Sequence, residues 1–280
     1  MLTRLEAYSS WLDAPTLSLS DTGREETDLI QIRDIQGLDP VKAAVNTSPF
    51  GSVDGVAYLG SSVPYRNIVL TLHPNPDWND WTYESLRRLL YSYFMPKLLT
   101  QLIFYSDDIP PVEIYGYVED CNVNPFSKDP EMQVSIICPD PYFTALNATV
   151  ITGHATRSNS TPVEIEYNGT IEAGINVELT WVSNPAPTYV RVQIDDPSLG
   201  SYQVAASVSA TQYFLMNSLA GQRYAQTVSL STGVITNLLS KIQDGSIWPT
   251  LQPGTNDFSV ITDQGSQDWQ LTYYERYGGL

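Results

Sequence analysis

Side chains able to do covalent or metal chemistry are few in these 280 residues: two histidines, His73 and His154, and two cysteines, Cys121 and Cys138. His73 in "HPNPDW" has Asp77 four residues on. That pair would begin a metal site, but no third ligand follows at zinc spacing, so a solvated turn is the reading preferred. His154 falls among small polar residues and reads as a surface side chain. The cysteines lie on neighbouring predicted strands without a CxxC and read as free core thiols of a cytosolic protein. Glu164/Glu166 and Asp195-Asp196 are paired carboxylates of the kind a glycosidase uses. Residues two apart on a strand share a face, however, and such acids form a solvent-facing edge. No G-x-S-x-G, Walker loop or G-x-G-x-x-G occurs. The chain is therefore read as a non-enzyme with no catalytic, cofactor-binding or metal site, and no cofactor.

Charge narrows the partners. The formal net charge is −17, with nine Lys/Arg against 20 Asp/Glu in residues 1–145 and five against eleven in 146–280. Binding a phosphate backbone needs clustered cations, so ordinary nucleic-acid recognition is excluded, and attachment to anionic lipid is disfavoured for the same reason. With 42% hydrophobic and 11% aromatic residues the chain can build a core. The opening MLTRLEAYSS lacks a signal-peptide core and no run of 18 apolar residues is present, so a soluble protein made in a cytoplasm, without membrane insertion, is expected. Length suggests about two domains.

The elements that would position any site are mostly strands. "TDLIQIRDI" (27–35), "YRNIVLTLH" (65–73), "TQLIFYS" (100–106), "VEIYGYVED" (112–120) and "EMQVSIIC" (131–138) alternate as half-buried strands do. One long helix is expected at 81–94, where Leu86, Leu89, Leu90, Tyr93 and Phe94 share a face. Asp80 or Thr82 can cap it, Pro96 ends it, and Arg87 and Arg88 point to solvent or a neighbouring subunit. Residues 144–162 are small and polar and read as a connection open to proteolysis. Beyond them strands recur about every ten residues, with Asn168-Gly169 as a hairpin signal and a short helix expected at Val234–Gln243. That pattern indicates an antiparallel sandwich or barrel. The fold class is mainly β with one long helix, divided into domains 1–143 and 144–280.

Between them lies "VSIICPDPYF" (134–143), a buried-strand composition stopped by Pro139 and Pro141, which donate no ladder hydrogen bonds. Tyr142-Phe143 is expected to be buried and to pin the crossing to the second domain. The "CPDPYF" stop resembles the distal tail (Dit) proteins of long-tailed, siphovirus-type bacteriophages. The resemblance extends upstream to "IQIRDIQGLDPVKAAV", to "SPFGSVDGVAYLGSSVPYRNIVLTL" with its Asp-Gly loop, arginine and apolar strand, and to the helix with "LIFYSDD…VEIYGYVEDCNVNPFSK". Downstream, "IWPTLQPGTNDFSV" is similar to a Pro-Gly-x-Asn turn of the second domain. Most of 27–143 is covered; residues 1–26 have no counterpart.

The resemblance implies a structural subunit of a tail tip or baseplate, resident in the virion and assembled in the host bacterial cytoplasm. It implies a homo-hexamer whose β-sandwich-like first domain forms the ring, with a galectin-like, OB-type or other β-sandwich second domain. Implied partners are the major tail tube protein, the tail-tip hub or tail-associated protein, and receptor-binding proteins, with DNA passing through the lumen at ejection. Candidate contact patches are "VNTSPFGSVDG" (45–55) and the Arg87/Arg88 side of the helix. Candidate lumen acids are Asp21, Glu25, Glu26, Asp28, Asp107 and Asp108. The alternative is a carbohydrate- or receptor-binding module, with Trp181, Trp248, Trp269, Tyr273 and Tyr274 as stacking platforms. Alternation puts Trp269 and Tyr273 inside with Leu271, leaving Trp248 as the ring expected outside.

Overall fold

Period-two alternation of apolar and polar side chains runs through most of the chain, and the structure is accordingly built of strands. It is a computed structural model that describes residues 2–10, 17–20, 29–51, 53–76, 80–123, 130–156, 162–194 and 201–280. Two compact units result: Met1–Leu146 with Tyr277–Leu280, and Asn147–Arg276.

The first unit holds β1 (Leu2–Ser9), β2 (Leu17–Ser20), β3 (Ile30–Gln36), β4 (Ala44–Pro49), β5 (Val56–Ser62) and β6 (Arg66–Pro74). These are followed by α1 (Tyr83–Tyr93), β7 (Leu99–Ser106), β8 (Val112–Val123), β9 (Met132–Cys138) and β10 (Phe143–Ala145). Nine strands form one sheet in the order β22-β10-β8-β7-β1-β2-β3-β6-β9, β22 being the C-terminal Arg276–Tyr277. A further β8–β9 pairing closes seven of the strands on themselves. The inward residues of every strand meet in one core, among them Leu5, Leu19, Ile68, Leu70, Leu102, Ile114 and Val134. β1 sits between β7 and β2 at the centre of this sheet. It is a strand inside a stretch for which the sequence offers no counterpart.

The helix starts at Thr82, whose hydroxyl accepts from Ser85 N while the Ser85 hydroxyl accepts from Thr82 N, a reciprocal cap. Leu86, Leu90 and Tyr93 form its buried stripe, and it ends at Phe94, two residues ahead of Pro96. Of the two arginines expected to face outward, Arg88 does. Arg87 is half-buried, with its guanidinium carbon 5.9 Å from the Tyr91 ring centroid, because its position borders the apolar stripe.

β8 serves two neighbours on one edge: its start pairs with β10 and its end with β9. Gly116 lies between those stretches, and a Cβ there would stand 2.5 Å from Ile136 Cγ2 and 2.7 Å from Cys138 Sγ. Cys138 is fully buried and Cys121 half-buried, and both thiols are free. Burial pushes Cys138 up to about 12 and Cys121 to about 11.

The stop at mid-chain is resolved inside this unit. Phe143 is fully buried in the first unit's own core. Its ring lies edge-on to Phe104, centroids 5.5 Å apart at 84°. Tyr142 is only half-buried. The aromatic that follows the prolines therefore anchors the chain's exit to the first unit's core.

The second unit contains β11 (Thr149–Thr156), β12 (Val163–Tyr167), β13 (Ala173–Ser183), β14 (Val190–Ile194), β15 (Ser201–Val204) and β16 (Gln212–Asn217). They are joined by β17 (Tyr224–Ser229), β18 (Ile235–Asn237), β19 (Thr250–Leu251), β20 (Gly254–Thr262) and β21 (Ser266–Tyr273). One antiparallel sheet runs β11-β21-β13-β16-β17-β18, with β19 on β13, and a second runs β12-β20-β14-β15. Their inner faces share a core, with Phe258 of one sheet edge-on to Trp269 of the other at 5.1 Å. Three expectations are corrected here. The polar stretch 144–162 contains β11, whose small side chains suit a strand beside Trp269: a Cβ on Gly153 would lie 2.2 Å from that ring. Asn168-Gly169 joins no paired strands, since β12 pairs with β20 and β13 lies in the other sheet. At Val234–Gln243 only a 3-10 turn, Leu239–Lys241, is helical, after β18 pairs with β17.

Two outcomes are expected. Phe143→Ala should cost about 3–5 kcal/mol of stability, as removal of an enclosed ring does, read as a lowered transition of the first unit in calorimetry. Cys138 should resist a thiol reagent at pH 8 until the protein unfolds. A thiol held above its ordinary range keeps its proton more tightly in the folded state. Stability should therefore fall as pH rises from about 8.5 towards that buried thiol's value.

Candidate assembly surface

Arg66 opens β6, and its side chain, at 1% exposure, is the largest fully buried one among the described residues. Its Nε donates to Pro141 O at 2.6 Å, Nη1 to Asp39 O at 2.8 Å and to Gly37 O, and Nη2 to Gly278 O at 2.5 Å. The guanidinium carbon stands 4.5 Å from the Phe143 centroid, a cation over a ring face. Burial pulls its pKa below the usual arginine value, opposed by the Asp39 carboxylate. An arginine remains protonated regardless. One side chain thus ties the segment after β3, the start of β6, the Pro139–Pro141 stop and the C-terminal tail. Close backbone approach makes this possible. Gly37 has φ +89°, and a Cβ there would fall 2.0 Å from Asn67 O. Leu280 N donates to Leu38 O at 3.1 Å.

Gly37–Asp39 and Arg66 are the two legs of the β4–β5 hairpin, which Arg66 therefore clamps at its root. Beyond the clamp the hairpin leaves the main sheet, and β4 and β5 pair only with each other among the described residues. The register places Val45, Thr47 and Pro49 opposite Ser61, Tyr58 and Val56 on one face, and Leu59 is an extra residue in a bulge. Val53 is 71% exposed, Leu59 68% and Tyr58 65%, with Val45, Phe50 and Val56 also mostly in solvent. Asp54 is the sole charge in residues 44–62 of a strongly acidic chain. An uncovered two-stranded hairpin is marginal in water, and a contiguous exposed apolar surface marks a protein contact. The expected patch at 45–55 is thus the tip and one strand of an apolar hairpin rather than a loop.

Other named residues fall as follows. Asp107 and Asp108 occupy the exposed turn between β7 and β8. Asp21, Glu25, Glu26, Asp28, Asp77 and Asp195-Asp196 lie outside the described residues. His73 is half-buried in β6 rather than in a turn, and no group of three metal-ligating side chains occurs among the described residues. Glu164 and Glu166 both face solvent on β12. Trp269 and Tyr273 are core residues. Trp248 is not a free platform: Tyr202 lies 4.4 Å from it, and Arg223 stands 5.8 Å from its centroid. No described helix is long and apolar enough to cross a membrane.

No family model matches the sequence, and no curated protein is significantly similar to it. The crystal structure of the Dit protein of phage SPP1, titled a paradigm of the hub adsorption apparatus in phages infecting Gram-positive bacteria, superposes with a TM-score of 0.63 at 17% identity. The match covers 97% of this chain and 98% of that one. A phage P2 baseplate chain gives a TM-score of 0.48 at 10% identity over the whole of both chains, too low to carry an argument. The chain has the fold of a Dit protein.

If the hairpin is a contact surface, Val53→Asp and Tyr58→Asp should abolish self-association in light scattering. Both residues touch solvent, so monomer stability should change by no more than about 0.5 kcal/mol. Unchanged association in both variants would remove the hairpin from the interface.

Proposed function

We propose that this protein is a structural subunit of a bacteriophage tail tip: six copies close into a ring between the tail tube and the hub, around the channel through which DNA leaves. The observation that carries the reading is the clamped apolar hairpin. A ring needs two different patches per copy that meet head to tail and close after a fixed rotation. A rigidly rooted, largely apolar hairpin with a single charge suits one such patch, and the shared fold with the SPP1 protein supports the setting. The role is architectural and non-enzymatic, and the other partners are the tube protein above and the hub protein below. The place is the virion, after assembly in the host cytoplasm.

Acidity fits this role. Residues 1–145 carry nine Lys/Arg against 20 Asp/Glu, so six copies would gather roughly −66 around the first-domain layer. Acids lining a lumen repel phosphates and leave DNA no sticky site along its path.

Native mass spectrometry should show a hexamer and negative-stain images a ring with a central hole. A stable monomer or dimer at every concentration contradicts the proposal. The rings should not retain double-stranded DNA at physiological salt. Rings bearing Asp107→Lys with Asp108→Lys should bind it, more weakly as salt rises. Tight binding by the unaltered ring would refute the repulsive lumen.

A further inference from the structure

The outer face of the second unit's larger sheet carries a polar array that the assembly reading leaves unused. Cross-strand register aligns three rows over β11, β21 and β13: Thr152–Gln270–Glu178, His154–Asp268–Thr180 and Thr156–Ser266–Ser183. Every position holds a hydrogen-bonding side chain, while the opposite side of the same strands packs Trp269, Leu271, Val177 and Leu179 into the core. The first two rows line an open groove of about 450 Å³. Its middle is fixed in place: His154 Nδ1 lies 2.7 Å from Asp268 Oδ1, and His154 Nε2 lies 2.6 Å from Ser266 Oγ. With both ring nitrogens engaged, the imidazole is held in a single orientation and holds Asp268 with it.

The Ser266–His154–Asp268 line has the distances of a hydrolytic triad. β21, however, pairs on both sides from Ser266 to Tyr273. Its amides are spent in ladders, and none are left to receive an oxyanion. Other ligand classes fail on chemistry. The groove has no lysine or arginine to hold a phosphate or carboxylate, no aliphatic side chain to hold an apolar anchor, and, among the described residues, no three ligating side chains grouped so as to hold a metal ion. What it offers is carboxylate acceptors at Glu178 and Asp268, an amide at Gln270, and hydroxyls at Thr152 and Thr180. Neighbours within a row lie one strand spacing apart, about 4.8 Å, and successive rows two residues apart along the strand, about 6.8 Å, a reach suited to the hydroxyls of one sugar ring. We infer that this groove binds a neutral saccharide, its hydroxyls donating to Asp268 and Glu178 and accepting from Gln270 and the threonines. Trp269, which the sequence offers as a platform, borders this groove but is itself buried in the core.

The test uses the full-length protein on an array of neutral hexose and N-acetylhexosamine oligosaccharides beside sialylated and phosphorylated ones, with titration calorimetry on any binder. Neutral saccharides should bind, and Asp268→Ala and Glu178→Ala should each weaken binding at least tenfold. Tyr274→Ala, an exposed ring outside the groove, should not change it. Circular dichroism should show each variant folded, and Asp268→Asn serves if Asp268→Ala is not. The inference is overturned if no neutral saccharide binds, if only acidic ones do, or if binding survives both groove variants. Because the hairpin plays no part, hexamer formation by these variants tests the assembly reading separately.

Discussion

The first unit depends on one buried cation. Arg66 satisfies four backbone carbonyls drawn from positions 37, 39, 141 and 278 and covers the face of Phe143. A buried charge is tolerated only where geometry supplies enough partners, and removing such a group from its partners costs about 3–5 kcal/mol. Lysine cannot substitute, because a single ammonium does not span four carbonyls in different directions. The joint also accounts for the glycines beside it. Any Cβ at Gly37 would strike Asn67 O, and one at Gly279 would come within 2.7 Å of Pro40 Cδ.

Three consequences meet at that joint. The hairpin is rooted on both legs, so its apolar face is presented in one orientation, not as a loose loop; preorganisation of this kind lowers the entropy cost of association. The chain leaves the first unit at a defined point, because Pro141 O is held and Phe143 is buried beside Phe104. The last residues, after completing the second unit, return to the first: Tyr277 is in its core and Gly278 is on Arg66. A domain boundary drawn at 143 with everything later assigned to a second domain does not contain that return.

Much of this fold was legible. Alternation located β3, β6, β7, β8 and β9, and strands recurring about every ten residues marked the second unit, because half-buried strands imprint their period on the sequence. It also placed Trp269, Leu271 and Tyr273 inside. The failures have physical causes. β1 and β11 carry short or polar side chains on their outer faces, so composition masks them. Leu238, Leu239 and Ile242 keep helical spacing by coincidence while the backbone forms β18 and one 3-10 turn. Arg66 stood out only as an arginine before an apolar strand. Its partners are carbonyls, to which residue type is no guide, and they lie up to 212 positions away. The hairpin was legible as an apolar segment, but not as paired strands, since its alternation lacks a buried face. The polar rows around His154 arise from register between strands far apart in sequence.

Hydrogen exchange on Arg66→Lys tests the central claim most directly, read by mass spectrometry against the unaltered protein. If Arg66 is the joint, amides near residues 37–45, 62–68, 139–145 and 277–280 should lose protection together, while the strands of 147–276 exchange as before. Protection unchanged in those four segments, or lost in only one of them, would contradict the account.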